Sequence, residues 1–90
     1  MVYDLIENEL FEKKSLAALI FLIDGGRELE FNVNGIKCFI SCSNSEKYVS
    51  LYINKVEQSF DSVLQLIDDA MISDMKFFVA WEQAELECLF

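Results

Sequence analysis

Apolar residues recur at steps of three and four through the first stretch of the chain, at Leu5, Ile6, Leu10, Ala17, Ile20 and Phe21, with no proline to interrupt them. That spacing predicts a helix from Val2 to Asp24. Ser15, just after Lys13 and Lys14, fits the N-cap of a restart that would kink the helix there. Gly25 and Gly26 supply a left-handed stop. The period then changes to two. In RELEFNVNGIKCFIS, alternating residues flank Asn34–Gly35, the preferred dipeptide of a two-residue type I′ hairpin. The turn fixes the register. Val33 faces Ile36, Phe31 faces Cys38 and Leu29 faces Ile40 on one side of the ribbon. Glu28, Glu30, Asn32, Lys37, Phe39 and Ser41 take the other.

A polar break from Ser43 to Glu46 leads to KYVSLYI, where Val49, Leu51 and Ile53 suit the core face and Tyr48, Ser50 and Tyr52 the opposite one. Val56 to Phe60 reads either as a fourth strand or as the lead into a helix. Asp61 then caps a helix from Ser62 to about Met71, with Val63, Leu66, Ile67 and Ala70 as its buried stripe. Ile72 to Met75 connects it to a final helix beginning near Lys76, with Phe77, Ala80, Trp81, Ala84 and Cys88 at core spacing. The expected fold is a single α+β domain over residues 1–90. It has an N-terminal helix, a three- or four-stranded antiparallel meander, and two C-terminal helices packed on one sheet face.

Composition changes this picture in two ways. Ninety residues bury only ~60–65% of the surface of the unfolded chain, yet 53% of the residues are hydrophobic. That is more apolar surface than one small core needs, and a partner or a second copy would use the surplus. Sixteen Asp and Glu stand against seven Lys and Arg, for a net charge of −9. Such a chain is repelled by nucleic acid and by anionic membrane, and a basic protein surface is its natural counterpart; the same acidity also serves plain solubility. The N-terminus lacks the basic region of a signal peptide. The longest apolar run, Leu16 to Ile23, is far short of the ~20 residues of a membrane span. A cytoplasmic protein is expected.

Candidate chemistry is sparse. There is no His to serve as a base near neutral pH, no glycine-rich phosphate loop, and no Ser or Cys in a nucleophile context. Neither catalytic residues nor a cofactor or metal site is expected. The three cysteines read as free thiols: Cys38 and Cys42, four apart on one strand, would have Cα atoms ~13 Å apart, beyond the ~7 Å reach of a disulfide. Both read most simply as core.

The run GxELEFxxNGxxxxI, then EQSFDSVLQLIDDAMI, then a helix with a central Trp resembles a group of small α-β-β-β-α-α proteins of low-GC Gram-positive bacteria and their mobile elements. The matching stretches are Glu28–Phe31, Asn34–Gly35, Phe60–Val63 and Ala80–Trp81, within about residues 20–85. These are structural signals, and the resemblance implies the fold rather than an activity. That group places charges just before its Trp pair, where this chain has Phe78 and Val79. Size, acidity and element order are also similar to small anti-CRISPR proteins, which implies inhibition of a Cas nuclease at its DNA-binding surface, as a DNA mimic would act.

Three surfaces follow as candidates for partner binding. The outer sheet face carries Phe39, Tyr48 and Tyr52, suited to a protein partner; with Lys37 and Lys47 nearby, stacking of unpaired RNA bases is a weaker alternative. Asp68, Asp69 and Asp74 line the second helix and its exit, and Glu82 and Glu85 a row on the last helix, either as solvated faces or as competitors for phosphate-gripping Arg and Lys. Phe78, and a stripe from Val79 through Gln83 and Leu86 to Phe90, have no evident use inside the domain. The expected function is non-enzymatic: an inhibitor that binds a basic nucleic-acid-binding protein such as a CRISPR nuclease. The alternative is a homodimeric accessory domain joined through Val79, Leu86 and Phe90.

Overall fold

A computed structural model describes residues 2–43 and 48–90; most of the predicted polar break, and Lys47, lie outside the described residues. The fold is α+β, with four helices and a five-stranded antiparallel sheet.

The N-terminal stretch forms two helices rather than one kinked helix, α1 (Val2–Lys13) and α2 (Leu16–Asp24). Lys14 breaks them apart with φ at 50°, and Ser15 caps the restart by accepting from the Ala18 amide at 3.1 Å. Past the end of α2, Gly26 adopts φ 90°. The Arg27 and Gly26 amides then donate back to the carbonyls of Leu22 and Ile23, a Schellman stop that a residue with a Cβ would strain.

Strands β1 (Leu29–Val33), β2 (Ile36–Ser43), β3 (Tyr48–Ile53) and β4 (Val56–Phe60) follow as a meander. The hairpin register is the expected one, Val33 opposite Ile36, Phe31 opposite Cys38 and Leu29 opposite Ile40. Asn34 and Gly35 take the positive φ angles, 51° and 87°, that a type I′ turn demands. A second such turn at Asn54–Lys55, with φ of 48° and 71°, makes β4 a full strand.

The next helix, α3 (Val63–Asp69), is capped by Ser62 rather than Asp61. The Ser62 hydroxyl accepts from the Gln65 amide, and the Gln65 side chain accepts from the Asp61 amide at 2.6 Å. This is a variant of the reciprocal Ser-x-x-Gln box. The expected connection is a two-residue-strand hairpin, β5 (Met71–Ile72) with β6 (Met75–Lys76).

The largest departure is at the end. The last helix, α4, covers only Phe77–Glu82, and Ala84–Leu89 form β7, which pairs antiparallel with β1. The sheet order is β4-β3-β2-β1-β7, so β1 is an interior strand. The reason lies in β1: Leu29, Phe31 and Val33 are fully buried, and an open edge beside them would leave backbone groups without partners. A bulge at Glu87 shifts the register between Phe31, opposite Leu86, and Glu30, opposite Cys88. It moves every later residue to the other face. Leu89 turns in toward the core, while Cys88, expected inside, is exposed.

All four helices lie on the face carrying Leu29, Phe31, Val33, Ile40 and Leu51, where Leu10, Leu19, Leu22, Ile23, Leu66 and Phe77 complete the core. Phe77 stacks on Trp81 with centroids 5.6 Å apart, and the Phe31 ring meets Trp81 edge-on at the same distance. Such pairs contribute ~0.5–1.5 kcal/mol beyond their buried area. Cys38 is buried as expected and Cys42 packs partly against the core.

Candidate functional site: the open sheet face

Among the described residues no helix packs on the opposite face of the sheet. Its centre is a line of rings. Phe39 on β2 lies 6.3 Å from Tyr52 on β3 and 6.1 Å edge-on from Phe90. Phe39 and Tyr52 are half-buried and Phe90 is 56% exposed. The bulge that sends Leu89 inward also brings Phe90 here, and paired backbone bonds between Glu28 and Phe90 hold it in place.

Carboxylates flank the rings. Glu28 accepts from the Ser41 hydroxyl at 2.7 Å. Glu30 lies opposite Phe39 in the ladder, and Glu85 opposite Asn32. On β4, opposite Tyr52, Glu57 accepts from Ser50 at 2.5 Å and from Ser59 at 3.0 Å. The hydroxyls of Ser50, Ser59 and Tyr52 favour the ionised form and, against some desolvation, hold the Glu57 carboxyl below the usual range. Ser50 is the buried polar residue of this face, and Glu57 satisfies it. Phe39 and Tyr52 floor an open groove of about 640 Å³, with Glu30 on one side and Lys37 and Lys55 toward the β3–β4 turn.

Phe39, Tyr52, Glu85 and Phe90 thus share one surface, and Tyr48 lies at its far end opposite Ser43, partly buried. Other expected residues lie elsewhere. Glu82 ends α4 while Glu85 sits on β7, so the two form no helical row. Asp68 and Asp69 close α3 and Asp74 sits in the β5–β6 turn, all solvated on the helical layer. The expected stripe of Val79, Gln83, Leu86 and Phe90 does not exist, because the helix stops at Glu82. Phe78 and Val79 are exposed on α4, Leu86 packs against the core, and Phe90 crosses to the open face.

Glu57 and Ser59 were missing from the sequence-based candidates. The alternation in Val-Glu-Gln-Ser-Phe, once Asn54–Lys55 is read as a hairpin turn, places both on this face.

Chemically, the face offers fixed anions and flat apolar rings. Cys38, whose thiol burial pushes up to about 11, is a poor nucleophile beneath it. Among the described residues no three His, Cys, Asp or Glu side chains converge to hold a metal ion, and no helix is long and apolar enough to cross a membrane. Compared with models of protein families, with curated proteins and with solved structures, the chain matches none of them.

Proposed function

We propose that the protein is a non-enzymatic binding inhibitor of the kind carried by phages and mobile elements. It sets its open sheet face against the basic, nucleic-acid-gripping surface of a host defence protein such as a CRISPR nuclease. One observation supports this above the others: the half-exposed ring line of Phe90, Phe39 and Tyr52, bordered by Glu28, Glu30, Glu57 and Glu85, on a chain of net charge −9. Apolar rings with a charged border have the anatomy of a protein interface. The carboxylates would stand where phosphates otherwise bind, in the manner of a DNA mimic, and a field of this sign would speed encounter with a basic partner.

The test is a DNA-retention assay with guide-loaded CRISPR nucleases and labelled target. Added protein is expected to release the DNA, and the Phe39→Ala, Glu57→Gln double variant to release less. Undisturbed DNA binding across the effectors would remove the proposal. A homodimer is the second reading, favoured by Phe78 and Val79, 55% and 46% exposed side by side on α4. A mass that stays monomeric across concentrations in light scattering would end it.

A further inference from the structure

We propose that the β4 edge of the sheet is a contact between two copies of this chain. Strand β4 pairs antiparallel with β4 of the second copy about a two-fold axis through Gln58, and the two sheets become one. The inference stands apart from the inhibitor reading, and it sets the contact on a different surface from Phe78 and Val79.

The sheet ends at β4 on one side and at β7 on the other. Strand β7 carries a bulge and the exposed carboxylates of Glu85 and Glu87, and both features discourage pairing. Strand β4 runs from Val56 to Phe60 in unbroken register with β3. Its one carboxylate does not guard the edge, because Ser50 on β3 holds Glu57 over its own sheet at 2.5 Å, with Ser59 at 3.0 Å.

The backbone is set for pairing. Asn54–Lys55 is a two-residue turn, so the residues flanking it, Ile53 and Val56, exchange both ladder bonds. Leu51 with Gln58 and Val49 with Phe60 do the same. The N–H and C=O groups of Glu57 and Ser59 therefore point off the sheet, where no strand follows among the described residues.

Charge then selects the register. Outward groups must meet outward groups, so the permitted registers differ by two residues. With Gln58 opposite itself, Glu57 meets Ser59 of the second copy, Val56 meets Phe60, and Lys55 of each turn comes beside Asp61. Every outward group of Glu57 and Ser59 finds a partner there. A shift of two residues one way sets Glu57 against Glu57, and the other way sets it against Asp61; both are like-charge pairs. Apolar surface completes the seam. Val56 is 68% exposed on the helical side of the sheet, where Leu64 on α3 and Met71 are also exposed. Met71 lies beside β4, since its carbonyl takes the Gln58 side-chain amide at 2.9 Å. Backbone bonds alone add little net affinity, and burial of these side chains against the second copy supplies the rest.

Sedimentation of the whole chain over a concentration series is expected to show a reversible dimer. The amides of Glu57 and Ser59 should exchange more slowly with solvent as concentration rises. Ser59→Glu, which sets like charges across the axis, should weaken the dimer about 3- to 30-fold, and Ser59→Lys should tighten it about 2- to 10-fold. Both variants lose the hydroxyl, so the opposite signs report the register. In a Cys88→Ser background, mild oxidation of Gln58→Cys should join the two copies through the introduced thiols, because Cα atoms opposite each other in such a pair lie ~4.5 Å apart, within disulfide reach. A monomer at every concentration would overturn the inference. So would a dimer indifferent to both Ser59 variants, uncrosslinked at position 58 and dissolved by Phe78→Asp, a result that would leave the α4 contact standing. Neither result bears on DNA release, which is measured separately.

Discussion

Lys14 holds the two ends of the fold together. Its backbone sits in the left-handed region, which costs a non-glycine residue roughly 1–2 kcal/mol. In that conformation its ammonium donates to three carbonyls, of Trp81 at 3.2 Å, Glu82 at 2.7 Å and Ala84 at 3.1 Å. These include the last carbonyls of α4, where a helix carries partial negative charge. In return the Trp81 indole N–H donates to the Lys14 carbonyl at 2.8 Å. Lys14→Met keeps the stem but removes the charged donor from all three carbonyls, so a loss of about 1–3 kcal/mol is expected in urea unfolding. Lys14→Gly relaxes the backbone yet should still be less stable than the parent. Wild-type midpoints for both variants would show the ammonium to be dispensable. The sequence marks Lys13 and Lys14 only as the point where the helix restarts; the bonds of the Lys14 ammonium are not legible in it, because their partners lie near the far end of the chain. Ser15 was legible because its cap is local, closed within three residues.

The same division between local and distant causes runs through the elements. The Asn34–Gly35 hairpin was readable to the residue, since turn chemistry and alternation agree there. Ala84 to Phe90 was not. Ala80, Ala84 and Cys88 satisfy a helical spacing, Ala84, Leu86 and Leu89 a strand interrupted by one extra residue, and only the bare edge of β1 decides between them. The bulge at Glu87 has its own effect at this scale: it bends an edge strand whose outward backbone groups would otherwise invite pairing. Deleting Glu87 leaves Leu86 opposite Phe31 and Cys88 opposite Glu30, so the inward and outward faces are preserved and the ladder becomes regular. The deletion variant is expected to fold with unchanged circular dichroism but to associate at lower concentration. Light scattering indistinguishable from the parent would argue that the edge is protected without the bulge, by charge such as that of Glu85.

At the scale of the molecule, the sequence announced surplus apolar surface and a strong negative charge but assigned part of them to the wrong place. The rings of Phe39 and Tyr52 stand on the sheet face where alternation puts them, whereas the stripe expected on the last helix is divided: Phe78 and Val79 stay on the helical layer, Leu86 packs against the core and Phe90 joins the ring line. The α+β class and the core were readable because periodicity is summed over many residues. The five-stranded order was not, because it depends on one long-range pairing. That pairing also bears on how the chain assembles. Strands β1 to β4 join neighbours in sequence, whereas β7 must return to β1 across two helices and a hairpin. Contacts between neighbours form early, and those that close a long loop come late. Leu86→Ala is therefore expected to hasten unfolding and barely slow folding in stopped-flow chevrons, and Val33→Ala, beside the first turn, to slow folding itself. If Leu86→Ala slowed folding as much as Val33→Ala does, β7 would belong to the nucleus. Otherwise the aromatic floor stays incomplete until the final step of folding, because Phe90 arrives with β7, and an unfinished chain has no surface with which to capture a partner.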